Sequence, residues 1–187
     1  YLGVGDQNHL GGATRNDTMG QSPTTWLWMM HELNVRSVID VGCGRGISTK
    51  WFLDHGADVL CVEGSHDAVT NSFLPPELIV EHDFSKGPYW SEETFDLAWS
   101  IEFLEHVGRH YMLNYIPTFK RAALIYLSHS YWGGYHHVEV HGDWWWRARM
   151  QALGYVYSDD LTKRIRAVAA GPGDGPEYVS QHLWLNM

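Results

Sequence analysis

The chain has 187 residues, a length that fits one domain with one hydrophobic core. Hydrophobic residues make up 44% of it and charged residues 19%, which excludes a disordered chain and a coiled-coil rod. Thirteen basic residues against 22 acidic ones give a net charge of −9, which argues against a nucleic-acid partner.

Predicted strands and helices alternate along most of the chain. Residues 1–21, rich in Gly, Asn, Asp and Thr, show no periodicity and predict a loop or lid in front of a single domain over 1–187. Helices are predicted at 22–33, 47–55, 66–71, 105–116, 143–154 and 159–170. Strands are predicted at 37–41, 58–63, 78–81, 95–100, 122–128, 155–158 and 182–187. This alternation indicates a mostly parallel sheet with helices on both faces.

The sequence also bears on where the protein works. The longest unbroken apolar stretches, 26–30 and 122–127, are too short to cross a bilayer, and no secretory signal opens the chain. Cys43 and Cys61 fall on predicted neighbouring strands and predict no disulfide framework. We therefore expect a cytoplasmic protein without membrane contact, and we leave its oligomeric state open.

The most specific local signal is a glycine-rich turn between the first strand and the following helix, VIDVGCGRGI at 38–47. Its glycines allow a ligand to approach the backbone, and the helix start offers free N–H groups. A carboxylate, Asp40, precedes the glycines, and no third glycine stands where a dinucleotide-binding loop has one. An acid at this place suits the cationic amino group of an amino-acid moiety better than a pyrophosphate. The pattern therefore argues against an NAD-dependent oxidoreductase.

This turn resembles the first motif of the class I S-adenosylmethionine-dependent methyltransferases, and FDLAWS at 95–100 resembles the fourth. The resemblance implies an α/β Rossmann-like three-layer sandwich, with a seven-stranded, mostly parallel sheet and an antiparallel last strand. It implies that Glu63 binds the ribose hydroxyls of S-adenosylmethionine and Asp83 the adenine amino group, with Phe84 beside the base. The cofactor-binding residues that it implies are Asp40, Gly42, Cys43, Gly44, Gly46, Glu63, Gly64, Asp83, Phe84 and Ser100.

Two carboxylates and an imidazole follow the fourth strand. Glu102, Glu105 and His106 stand at i, i+3 and i+4, and this spacing predicts that they share one face of a helix. Such a set serves either as a metal site or as an acid/base pair. Glu102, His106 or one of His136 and His137 could take the acceptor's proton or help hold the nucleophile, and Glu102 and His106 are candidate catalytic residues.

The same stretch resembles two metal-assisted groups, the plant-type small-RNA 2′-O-methyltransferases and the ubiquinone-pathway O-methyltransferases. In the first group a histidine from the loop after the fifth strand completes the metal shell. Here that loop carries His136, His137 and His141, of which we choose His137 as a metal ligand and a catalytic residue. The implied metal ligands are Glu102, Glu105, His106 and His137.

The sequence thus predicts methyl transfer from S-adenosylmethionine to a small-molecule acceptor through oxygen, with a divalent metal ion left open. Three alternatives remain: a metal-assisted RNA 2′-O-methyltransferase, an NAD-dependent oxidoreductase, and a binding module that keeps the cofactor fold without catalysis. The acidic composition argues against the RNA substrate.

Overall fold

The computed structural model describes residues 3–10 and 20–169 in full, and 182–186 by their backbone. The helices are α1 Pro23–Glu32, α2 Ile47–Asp54, α3 His66–Thr70, α4 Met112–Phe119, α5 Asp143–Ala152 and α6 Asp159–Val168. The strands are β1 Ser37–Val41, β2 Asp58–Glu63, β3 Ile79–Glu81, β4 Phe95–Ser100, β5 Ala122–Leu127, β6 Tyr155–Tyr157 and β7 His182–Asn186.

The seven strands form one sheet in the order β3-β2-β1-β4-β5-β7-β6. The strands from β3 to β5 in this order pair in parallel, whereas β7 runs antiparallel to both β5 and β6. This confirms the predicted mostly parallel sheet with an antiparallel last strand. The strand order reverses beside β1, between β1 and β4, and open sheets of this kind bind ligands at the carboxyl ends of the strands there.

Apolar side chains cover both faces of the sheet. On one face Ile39 and Val41 pack with Tyr115 of α4 and Met150 of α5. On the other face the core includes Val38 and Leu97 of the sheet, with Trp26, Phe52 and Ile165 from α1, α2 and α6. Because the strands are buried on both faces, their sequences are continuous apolar runs rather than alternating ones. The predicted three-layer arrangement is confirmed.

The single helix predicted at 105–116 is wrong. Two 3₁₀ turns, Leu104–His106 and Arg109–Tyr111, precede α4, which begins only at Met112. Gly108 separates the turns with an extended backbone, at φ −53° and ψ 140°. The helix predicted to end before Pro117 instead includes it, since α4 continues for two residues beyond this proline.

The prediction of no disulfide framework is also wrong. Cys43, in the turn after β1, is bonded to Cys61 on the neighbouring strand β2, with their Cα atoms 5.9 Å apart. A separation of this size is typical of disulfides, and the parallel pairing of β1 and β2 creates it. The bond ties the glycine-rich turn to β2.

The other boundaries shift by only one or two residues. Leu78, predicted to open the third strand, ends a 3₁₀ turn, and β3 begins at Ile79. The predicted lid at 1–21 falls partly outside the described residues, as does the predicted end of the last helix before Gly171. Among the described residues no helix is long and apolar enough to cross a membrane.

Candidate functional site

The glycine-rich turn brings backbone to the carboxyl end of β2. Gly42 has φ +76°, and a Cβ atom there would lie 2.5 Å from Cδ2 of Phe103. Only glycine fits this left-handed and crowded position. The N–H of Gly44 donates a hydrogen bond of 2.7 Å to Oε2 of Glu63, and the N–H of Ser65 donates one of 2.8 Å to Oε1. The turn and the end of β2 are therefore held together through one carboxylate.

The three predicted carboxylates of the cofactor motifs lie in different surroundings. Burial raises the pKa of Glu63, although hydrogen bonds from Ser65 and Gly44 oppose this effect. Asp40 is buried, and its Oδ2 accepts hydrogen bonds from the hydroxyls of Ser48 and Thr49, at 2.9 and 2.7 Å. Asp40 therefore supports the start of α2 from beneath the turn.

Asp83 follows β3 and carries two hydrogen bonds of its own. Its Oδ1 accepts from the N–H of Ser85 at 2.8 Å, and its Oδ2 lies 2.9 Å from Nε2 of His9. Burial raises the pKa of Asp83, but the hydrogen bonds of Ser85 and His9 outweigh burial and lower it. The next residue, Phe84, buries its ring against the core.

One cavity of about 830 Å³ joins these motifs to the region beyond β4. Six of the predicted cofactor-binding residues line it: Gly42, Gly44, Glu63, Gly64, Asp83 and Phe84. The predicted catalytic residues Glu102, His106 and His137 line it too. Four predicted residues lie outside this lining. Asp40 and Cys43 border a smaller cavity under the turn, Gly46 precedes α2, and the hydroxyl of Ser100 donates to the carbonyl of Val41.

Three potential metal ligands meet beside the cavity. One ligand atom from each of Glu105, His106 and His137 lies within 4.8 Å of the others. Among the described residues no hydrogen-bond partner reaches Oε2 of Glu105 or Nδ1 of His106, and both atoms are buried. Buried polar atoms normally have a partner, so two such atoms in one cluster point to a missing ligand.

The ionisation of the trio follows from its burial. Burial raises the pKa of Glu105, and the adjacent Glu102 raises it further. Burial lowers the pKa of His106 to about 4, and His137 and His136 add to that decrease. At neutral pH His106 is therefore an uncharged imidazole, the form that binds a metal ion or accepts a proton.

Glu102 does not share a helix face with Glu105 and His106, which corrects the prediction from their spacing. It adopts φ +50° in the turn before the 3₁₀ segment, and its Oε1 accepts a 2.9 Å hydrogen bond from the hydroxyl of Ser128. His136, across the cavity, has φ +51°. Non-glycine residues rarely hold such angles, and strained backbone of this kind is typical of functional sites.

The loop after β5 brings the third member of the trio. The N–H groups of Val138 and Glu139 both donate to the carbonyl of Glu105, at 2.8 and 3.1 Å. Nδ1 of His137 lies 2.7 Å from the carbonyl oxygen of Trp132. A histidine whose Nδ1–H is held by a carbonyl directs Nε2 to its other partner, as metal-binding histidines do.

Several residues that line the cavity were not predicted as site residues from the sequence. In the N-terminal segment these are His9 and Leu10, and no periodicity signals either of them. Tyr135 and Glu139 stand in the histidine-rich loop, where their closeness to His137 was an available signal. The remaining unpredicted residues on the acceptor side include Phe103, His110 and Tyr111.

His129, on the far side of this loop, gives a testable pH dependence. Burial lowers its pKa from an ordinary value near 6.5 to about 4, although Asp143 partly opposes this effect. Between these values the unfolded chain binds the proton more tightly, so acid favours unfolding. Because of His129, we expect the free energy of unfolding to fall by about 1–2 kcal/mol when the pH is lowered from 7 to 5.

Urea unfolding of the wild type and His129→Phe at both pH values measures this cost. The variant should lose less stability on acidification than the wild type. Equal losses would show that His129 does not titrate in this way.

Known proteins and protein families that resemble the chain have the same α/β fold. Residues 39–122 match the family model described as a methyltransferase domain. The solved structures that resemble the chain include the plantazolicin methyltransferase BpumL, in complex with a triazolic desmethylPZN analog and SAH. Its TM-score is 0.63 at 11% identity, over 92% of this chain and 87% of that chain. No curated protein matches the sequence.

Two further structures show the same fold. The methyltransferase domain of bacterial CtHen1 has a TM-score of 0.56 at 16% identity, over 87% of this chain and 96% of that chain. Magnesium protoporphyrin IX methyltransferase (ChlM) from Synechocystis PCC 6803, with bound SAM, has a TM-score of 0.57 at 15% identity, over 95% and 87% of the two chains. At these identities the similarity establishes the architecture alone.

Proposed function

We propose that the chain is a class I S-adenosylmethionine-dependent methyltransferase and that it methylates an oxygen atom of a small-molecule acceptor. The observation that supports the proposal is that one cavity is lined both by the cofactor motifs and by a cluster of carboxylates and imidazoles. Such a cluster can hold a hydroxyl and take its proton, which is the requirement for methylation on oxygen.

The residues at the carboxyl ends of β1 to β3 fit S-adenosylmethionine. Gly42 and Gly44 line the cavity with their backbone, and the absence of a side chain at Gly42 lets the ring of Phe103 pack against the turn. Glu63 offers a carboxylate for the ribose diol, and Asp83 one for the adenine amino group. Phe84 supplies apolar surface beside the base. When bound, the cofactor supplies a methyl group on a positively charged sulfur.

The protein's own contribution is to orient the acceptor and to take its proton. The neutral imidazole of His106 and the carboxylate of Glu102 both line the cavity on the acceptor side. Either can accept a proton from a hydroxyl within hydrogen-bond reach. Holding the acceptor in line with the methyl group supplies a further large part of the rate.

Glu105, His106 and His137 also fit a divalent metal ion. Their ligand atoms converge, and two of them lack another partner among the described residues. Glu102 lies beside Glu105 and would complete the predicted set of four. An ion held there would lower the pKa of a bound hydroxyl. The mixed oxygen and nitrogen set suits Mn, Fe, Co or Zn as readily as Mg.

Labelled S-adenosylmethionine tests the function directly. We expect transfer of the labelled methyl group to members of a panel of catechols, sugars and small acids. An RNA oligonucleotide in the same panel tests the alternative acceptor. No transfer to any member, with the cofactor bound in calorimetry, would favour a non-catalytic binding module instead.

Chelation tests the metal proposal. Exhaustive dialysis against a chelator should abolish transfer, and adding back divalent ions should restore it. Full activity after chelation, with no metal in elemental analysis, would leave the trio as acid/base or binding groups.

The N-terminal segment 3–10 is proposed to act as a lid over the cofactor. Oδ2 of Asp6 accepts a 2.8 Å hydrogen bond from the hydroxyl of Ser65, and the hydroxyl of Tyr135 contacts the carbonyl of Asn8 at 3.3 Å. His9 reaches Asp83 in the cavity. Because these contacts border the cofactor region, we expect S-adenosylhomocysteine with an acceptor to slow proteolysis within the segment.

Mass spectrometry of timed digests measures this protection. Without ligand, the Asp6→Ala variant should be cleaved faster than the wild type, since it loses the hydrogen bond from Ser65 to Asp6. Equal cleavage with and without ligand would contradict the lid.

A further inference from the structure

Beside its carboxylates and imidazoles, the acceptor side of the cavity has an apolar and aromatic wall. Its walls include the rings of Phe103, Tyr111 and Tyr135 and the aliphatic side chains of Val107 and Val138. Tyr135 and Val138 are each 47% exposed, so they stand at the mouth. Aromatic walls of this kind favour a flat, largely apolar ligand.

The basic residues in the described lining of the cavity are all histidines. Among the described residues that line the cavity there is no Lys or Arg, whereas Glu63, Asp83, Glu102 and Glu139 all line it. The carboxylate of Glu139 is engaged, because its Oε1 accepts from both the backbone N–H and the Nε of Arg109, at 2.7 and 2.9 Å.

Arg45, Lys86 and Arg109 each follow a residue that lines the cavity, but none of them lines it, and each is paired with a carboxylate. An incoming carboxylate or phosphate would therefore lose its water without gaining a free cation, which costs free energy. It would also meet the carboxylate of Glu102. The three ion pairs are Arg109–Glu139 at 2.9 Å, Arg45–Asp67 at 3.1 Å and Lys86–Asp83 at 3.6 Å.

We propose that the acceptor is an uncharged, flat, hydroxylated ring, and that this wall rejects acceptors that carry a carboxylate or a phosphate. The inference rests on the proposed function, since it names the class of molecule that receives the methyl group. A phosphate-bearing RNA end falls in the rejected class.

Two probes of the same shape test the charge selection. We would titrate 3,4-dihydroxybenzamide and 3,4-dihydroxybenzoate into the protein by calorimetry, with and without saturating S-adenosylhomocysteine. The measurements are made at pH 8, above the ordinary titration range of imidazole. The benzamide should bind at least tenfold more tightly. Equal or tighter binding of the benzoate, or failure of both rings to bind, would overturn the inference.

The cofactor product reports separately on the proposed function. If S-adenosylhomocysteine binds but neither ring does, cofactor binding stands and the acceptor class is wrong. If S-adenosylhomocysteine itself fails to bind, the proposed function is wrong, whatever the rings do.

A placed cation provides a second test. Val138→Arg puts a positive charge at the mouth and keeps the backbone hydrogen bond from residue 138 to Glu105. It should raise the ratio of benzoate affinity to benzamide affinity about tenfold. The matched control is Val156→Arg on β6, a 38% exposed site that does not line the cavity. An equal effect of both variants, or no effect of Val138→Arg, would contradict the inference.

Discussion

Glu63→Ala should weaken the binding of S-adenosylmethionine by about 1–3 kcal/mol, or roughly 5- to 150-fold, the range for lost hydrogen bonds to a charged group. Two effects act together. The variant loses the acceptor proposed for the ribose hydroxyls, and it frees the N–H groups of Gly44 and Ser65 that hold the turn against β2. Titration calorimetry with S-adenosylmethionine and with S-adenosylhomocysteine measures the loss.

Glu81→Ala is the matched control for this variant. Glu81 ends β3 directly beside Glu63 in the sheet, but it does not line the main cavity and pairs with His66 on the surface. It should change cofactor affinity by less than twofold. Thermal unfolding with each variant separates binding from folding. Unchanged affinity in folded Glu63→Ala would remove Glu63 from the cofactor site.

The sheet was predictable from the sequence because its strands are buried on both faces. Short, mostly apolar segments such as 58–63 and 95–100 predict buried strands, and their observed bounds match the predicted ones. Apart from α4, the helix ends differ from the predicted ones by one or two residues, because the terminal turns of a helix make fewer internal hydrogen bonds.

The sequence predicted many of the residues of the site, but it did not predict how they are arranged in space. Spacing alone placed Glu102 on the helix of Glu105 and His106, yet a bond from the hydroxyl of Ser128, 26 residues away, accompanies its left-handed backbone. The contact between Asp6 and Ser65 spans 59 residues and joins an aperiodic segment to the site. The bond between Cys43 and Cys61 also depends on strand pairing. No local pattern encodes such distant contacts.

Of the variants considered, replacement of His106 should have the largest effect on activity. His106→Ala should lower the kcat of methyl transfer by about 10²- to 10⁴-fold, the usual contribution of a positioned acid or base. His106 lines the cavity as a neutral imidazole, and its buried Nδ1 has no partner among the described residues. The same loss follows whether it accepts the proton or holds a metal ion, because either role needs a nitrogen of this imidazole.

The second variant, Glu105→Gln, separates these two roles. It keeps the shape of the side chain but removes the charge that a cation would require. If the trio holds a metal ion, the variant should lose bound metal in elemental analysis together with activity. If His106 acts alone as a base, kcat should fall far less than in His106→Ala.

His110→Ala provides the local control for the histidine variant. His110 lines the same cavity, but its ring lies against Tyr111 and it takes no part in the trio. It should lower kcat by less than tenfold, while cofactor affinity in His106→Ala stays within a few-fold of the wild type. A folded His106→Ala enzyme that keeps its full kcat would show that the chemistry depends on other residues of the cavity, such as His136 or His137.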